Sequence, residues 1–132
     1  MQQLTLITLV VAEYDEAIDF YIKKLGFELI EDTPQSDTKR WVVVKPPGSA
    51  QCGLLLAKAV NDEQKSRIGN QTGGRVFLFF HTDDFKRDYN VYVQNGVEIV
   101  RPPVEQPYGM VAVFADLYGN KFDLIEPMTS VT

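Results

Sequence analysis

Tyr14-Asp15-Glu16-Ala17-Ile18-Asp19-Phe20-Tyr21-Ile22-Lys23-Lys24-Leu25-Gly26 decides how the rest of the chain is read. Ile18, Tyr21, Ile22 and Leu25 recur at the spacing of one helix face. Asp15 and Glu16 lie in the first turn and Lys23 and Lys24 in the last, where the helix dipole favours each sign, and Gly26 supplies the stop. Upstream, residues 4–11 form an aliphatic and β-branched run, which predicts a strand buried on both faces. Downstream, residues 27–31, 41–44 and 52–57 read as strands, the last two joined through Pro46-Pro47-Gly48. The order is β-α-β-β-β.

The second half repeats it. Residues 75–82 read as a strand, and residues 85–95 as an amphipathic helix with Phe85, Tyr89, Tyr92 and Val93 on one stripe and Gly96 at its end. Residues 97–100, 110–114 and 122–125 follow as strands, the last two joined at Leu117-Tyr118-Gly119-Asn120. Laying residues 11–30 over 82–100, with one gap near Leu25, pairs Tyr21 with Tyr92, Gly26 with Gly96 and Glu28 with Glu98. The matching order of elements carries more weight than those few identities. The expected fold class is α+β: two tandem βαβββ modules forming curved mixed sheets around a cleft. They would make one domain of residues 1–132, with modules at 1–57 and 75–132 and a polar connector at 58–74 that holds a helical turn near 62–67. A sheet covered by its helix on one face leaves a concave face open, and a concave, mostly apolar cleft suits a small molecule.

Composition narrows the partners. The 132 residues carry 18 acidic against 13 basic side chains, a formal charge of −5, so nucleic-acid binding is not expected. No apolar stretch is long enough to span a membrane, and the N-terminus lacks a signal-peptide pattern, so a cytoplasmic protein is expected. Cys52 is the one cysteine and sits in an apolar run, where it reads as a small hydrophobe rather than a reactive thiol.

The stretch Val11-Ala12-Glu13-Tyr14-Asp15-Glu16-Ala17-Ile18-Asp19-Phe20-Tyr21, ending Leu25-Gly26-Phe27, resembles the first-module signature of the vicinal oxygen chelate superfamily, the glyoxalase, bleomycin-resistance and extradiol-dioxygenase group. Thr82-Asp83-Asp84-Phe85, Gly96-Val97-Glu98, Gln106-Pro107-Tyr108-Gly109 and Asp116-Leu117-Tyr118-Gly119-Asn120-Lys121-Phe122-Asp123-Leu124 are similar to its second module. The resemblance covers nearly the whole chain. It is specific for fold and weak for reaction, because this fold hosts isomerases, dioxygenases and drug-binding proteins alike. Metal-dependent members place one ligand on the first and last strand of each module. Carried onto this chain, those positions fall on Leu6, Gly53, Phe77 and Asp123. One carboxylate is a poor ligand set for a divalent ion, so no metal and no cofactor is expected. His81 shares parity with Phe77 but lies four residues on, roughly 13 Å at strand rise, and reads as a strand-end histidine.

Alternation along the strands points Leu6, Thr8, Phe77, Phe79, Asp123 and Ile125 into the cleft, with Val111 and Val113 added by counting back through the hairpins, and Trp41 and Val43 beside them. Tyr108 stands either at the cleft mouth or as a turn anchor. The rival reading is that these side chains fill a collapsed core. Asp123 argues against it, since a carboxylate in an apolar cleft needs a partner: Lys121, Arg40, water or a bound cationic ligand. Asp123 is also the candidate catalytic residue. Three functions stay open: sequestration of an aromatic or cationic compound, as the bleomycin-resistance resemblance implies; a glyoxalase-like isomerase or lyase, either metal-dependent through other ligands or metal-free with Asp123 as general base; and a dimerisation or regulatory module with a vestigial cleft. A homodimer is expected from the resemblance, the cleft being formed by one chain or by two exchanging modules.

Overall fold

The computed structural model describes residues 1–48 and 51–128. In chain order the elements are β1 (Leu6–Val11), α1 (Tyr14–Asp19) continuing as a π-helical turn (Phe20–Lys24), β2 (Glu28–Pro34), β3 (Arg40–Lys45), β4 (Gly53–Lys58), α2 (Asp62–Ser66), β5 (Val76–His81), α3 (Phe85–Gln94), β6 (Glu98–Gln106), β7 (Gly109–Ala115) and β8 (Lys121–Pro127). They form two compact units, Met1–Gln71 and Thr72–Thr132, each built on one four-stranded mixed sheet. The fold is α+β, the β-α-β-β-β order written twice.

In the first unit the strand order is β1-β4-β3-β2, with β1 parallel to β4 and the other pairs antiparallel. Helix α1 packs on β3 and β4. Leu9, Val11, Val42, Val44 and Leu56 are fully buried on the sheet, and Tyr21 is fully buried at the end of the helix. The alternate residues Leu6, Thr8, Trp41 and Val43 share the opposite face, as the registers Leu6↔Gly53, Thr8↔Leu55 and Val43↔Leu55 require. The expectation that β1 is buried on both faces does not hold: it is an edge strand with one neighbour, and Thr8 is exposed. An unbroken aliphatic run signals burial but not the number of covered faces. Arg40 ties the unit together. Its guanidinium pairs with Asp15 of α1 at 2.8 Å and Asp32 of β2 at 2.7 Å, and lies 5.1 Å from the centre of the Tyr14 ring.

The second unit has the matching order β5-β8-β7-β6, and α3 packs on β8. Its core is richer in aromatic rings than the first: Tyr92 meets Phe114 edge-on at 5.2 Å, and Phe114 stacks on Phe122 at 5.7 Å. The Asp84 carboxylate accepts the Arg87 N–H and caps α3. Gly26 and Gly96 close the two long helices in the left-handed region, φ 76° and 79°, as their places in the sequence predict.

Two strands depart from the sequence reading. Strand β6 does not stop at Val100 but runs to Gln106 through Pro102 and Pro103. It is an edge strand, so a missing N–H can face away from the sheet, and two register shifts absorb the prolines. Strand β5 carries a bulge: Val76 pairs with Lys121 and Leu78 with Phe122, leaving Phe77 as the extra residue.

Candidate functional site

The turn Asp116-Leu117-Tyr118-Gly119-Asn120 sets the register of β8. One Asp116 oxygen accepts the N–H groups of Tyr118 and Asn120, both at 2.9 Å, and the other accepts the Asn120 side-chain amide at 2.9 Å. From there Phe122 and Leu124 point to the α3 side, and Lys121, Asp123 and Ile125 to the other. The β6–β7 hairpin closes at Gln106↔Gly109. Gly109 has φ 143°, and a Cβ there would collide with the Glu126 carbonyl, so this corner admits glycine alone.

These constraints line up one rung across the whole sheet, Arg101↔Val113↔Asp123↔Phe79, with all four side chains on the face away from α3. A pocket of about 430 Å³ lies on that face, within the range of small-molecule sites. Of the residues expected from sequence, Phe79, Tyr108, Val111, Val113 and Asp123 line it. Phe77 does not, because the β5 bulge breaks the alternation and Val76 takes that place. Leu6, Thr8, Trp41 and Val43 belong to the sheet of the first unit, on one face together.

The pocket combines exposed aromatic surface with an isolated carboxylate. Phe79 is 63% exposed and Tyr108 56%, although Phe79 sits mid-strand. Asp123 Oδ1 is buried without a hydrogen-bond partner among the described residues. Burial pushes the Asp123 carboxyl above the ordinary carboxylate range, and the charge of Arg101 opposes that shift.

Sequence reasoning missed Arg75, Val76 and Arg101, which also line the pocket, and saw Lys121 only as a possible partner for Asp123. An unbroken hairpin counted back from Gln106↔Gly109 would set Pro102 opposite Val113. The shift at the prolines brings Arg101 there instead. The signal was the Pro102-Pro103 pair itself, which marks an edge strand with a bulge.

The four metal-ligand positions of the resembled family do not fit an ion. Leu6 and Phe77 carry no donor atom, and a Cβ at Gly53 would stand 2.8 Å from Lys45 Cγ and 2.9 Å from the Val44 carbonyl oxygen. Asp123 is left as the one donor, and no group of three His, Cys, Asp or Glu side chains able to hold a metal occurs among the described residues. Among those residues, no helix is long and apolar enough to cross a membrane.

A family model described as Glyoxalase/Bleomycin resistance protein/Dioxygenase superfamily matches residues 3–124. The chain belongs to this superfamily. A protein of Shewanella frigidimarina (strain NCIMB 400) is 62% identical over 126 residues, covering 95% of this chain and 93% of its own. Among solved structures, UcmS2 superposes with a TM-score of 0.84 at 30% identity, covering 96% of this chain and 98% of that one. TnmS3, an antibiotic binding protein from Streptomyces sp. CB03234, gives 0.77 at 28% identity, with coverage of 97% and 98%.

Proposed function

We propose that this superfamily member binds and sequesters a small aromatic compound, without a metal, in the pocket on the sheet of the second unit. The observation that carries the reading is Phe79, more than half exposed in the middle of a strand and facing a pocket it shares with Tyr108. An exposed mid-strand phenylalanine leaves apolar area in water, and a planar ligand laid against it removes that area. The likeness to TnmS3, an antibiotic binding protein, supports the same reading. Leu6, Gly53 and Phe77 at the family's ligand positions support a metal-free pocket.

A ligand that binds the native state alone raises its stability by about 2.7 kcal/mol at a hundred times its dissociation constant. A thermal-shift panel of aromatic antibiotics, amines and acids, run beside divalent metals, therefore tests the proposal. Stabilisation by aromatic compounds and not by metals is the expected result. About one zinc, nickel or manganese per chain on elemental analysis, lost in Asp123→Ala, overturns it.

One observation favours a second reading, that of an isomerase or lyase. The Asp123 carboxyl is raised by burial toward the range useful for a general base. Turnover of a stabilising compound by wild type and not by Asp123→Asn would select the enzyme. The homodimer remains part of the proposal, since β2 and β6 leave long edges with Leu29, Ile30, Val100 and Val104 exposed. Light scattering that gives the mass of one 15.0 kDa chain at micromolar concentration would remove it.

A further inference from the structure

The charges around the pocket run against those of the chain. The whole sequence carries −5, yet the pocket is lined by three cations, Arg75, Arg101 and Lys121, and one carboxylate, Asp123. Elsewhere Arg40 and Arg87 each touch two aspartates, and Lys23 and Lys58 each touch one acid. The guanidinium groups of Arg75 and Arg101 make no hydrogen bond or ion pair with any described residue. Lys121 gives one hydrogen bond to the Gly74 carbonyl at 3.1 Å, leaving donors free.

Resting on the aromatic-binding reading, we infer that the pocket takes an aromatic acid, a planar molecule whose carboxylate, sulfonate or acidic phenol is held by Arg101, Arg75 and Lys121. Like charges gathered in a concavity repel one another, and an anion placed among them relieves that repulsion. A guanidinium offers paired N–H donors that match a two-oxygen anion, and two unpaired guanidinium groups stand here. Phe79 and Tyr108 supply the surface for the ring, and Val111 and Val113 the apolar floor. Considered alone, Asp123 suggested a cationic ligand. Within the pocket it is outnumbered three to one.

Two fluorescent probes of one skeleton test the inference. Anilinonaphthalene sulfonate is an anion and N-phenylnaphthylamine is neutral, and benzyltrimethylammonium serves as a cationic competitor. The full chain is expected to bind the sulfonate at least tenfold more tightly than the neutral probe, with the preference shrinking as salt is added. Arg101→Gln and Arg75→Gln should each lower the sulfonate-to-neutral affinity ratio several-fold, and both together should abolish the preference. The Arg40→Gln protein, altered far along the chain at an arginine that is already paired, should keep the wild-type ratio. Equal affinity for the two probes, an unchanged ratio in both pocket variants, or displacement by the ammonium compound at lower concentration than by benzoate overturns the anionic ligand and leaves aromatic binding standing. No binding of either probe overturns aromatic binding itself, and the inference with it.

Discussion

The two sheets share an order of strands but not a chemistry, and the difference is clearest in two arginines. Arg40, on β3, is held by Asp15 and Asp32 and lies over the Tyr14 ring. Arg101, on β6, lines a pocket, makes no hydrogen bond or ion pair with a described residue, and acts on Asp123 through its charge alone. The first is fastened into the fold; the second is left available. The faces away from the helices follow suit. Around β1 and β4 that face carries Leu6, Thr8, Gly53 and Leu55, whereas around β8 it carries Lys121 and Asp123. A repeated backbone therefore fixes where side chains stand without fixing what they do, and function is to be read from the half in which polar groups lack partners.

The cores offer the largest effect with which to test this contrast. Phe114 and Val44 are both fully buried, Phe114 among the rings of the second core and Val44 on the sheet of the first. Phe114→Ala is expected to cost about 3–5 kcal/mol of unfolding free energy, and Val44→Ala about 2 kcal/mol. Urea denaturation measures both. Equal losses would mean that the second core has collapsed around its cavity, and that the two halves are packed alike.

The arginines come next, and their effects should cross. Arg40→Gln should lower stability by about 1 kcal/mol, because it removes two partly exposed ion pairs and a ring contact, while sulfonate binding stays as it was. Arg101→Gln should change stability by less than about 0.5 kcal/mol and weaken sulfonate binding about tenfold. Denaturation and probe titration on the same preparations give both numbers. A stability loss in Arg101→Gln as large as that in Arg40→Gln would erase the distinction between a fastened and an available arginine.

How far the sequence foretold these positions depended on how local the governing physics is. Periodicity located every main strand and both long helices, and parity set Val111, Val113 and Asp123 on one face of their sheet, because alternation needs only neighbouring residues. Phe77 escaped because a bulge is a property of two paired strands: β8 supplies one residue where β5 supplies two. Arg101 escaped for the same reason, displaced by a shift that the prolines impose on an edge strand. The expectation of a cationic ligand was drawn from Asp123 alone. Asp123 and Lys121 were visible as neighbours on one face of β8, but Arg101 and Arg75 reach the pocket from β6 and from the segment before β5, and no local pattern joins them to Asp123.

The smallest expected effect is a difference in sign between one carboxylate from each sheet. The hydrogen bond from Arg40 holds Asp32 below the ordinary carboxylate range, outweighing its partial burial. Its ionised form is favoured in the native state, so its contribution is present above the unfolded pKa and is lost as pH falls through the folded one. Burial pushes Asp123 the other way, against the charge of Arg101. Its neutral form is favoured in the native state, so its contribution is present below the unfolded pKa and is lost as pH rises through the folded one. At neutral pH, then, Asp32→Asn should destabilise by about 0.2–1 kcal/mol, the range for a partly exposed pair. Asp123→Asn should stabilise slightly, since an ionised carboxylate without a hydrogen bond has been replaced by a neutral amide. Both differences from wild type should fade on acidification, because each aspartate is then protonated in the folded and unfolded states alike. Each variant is compared with wild type at the same pH rather than across pH. Urea midpoints for the three proteins at intervals from about pH 3 to about pH 8 provide the measurement. Two differences of the same sign at neutral pH would mean that Asp123 has found a partner in solution, and the contrast between the two carboxylates would be gone.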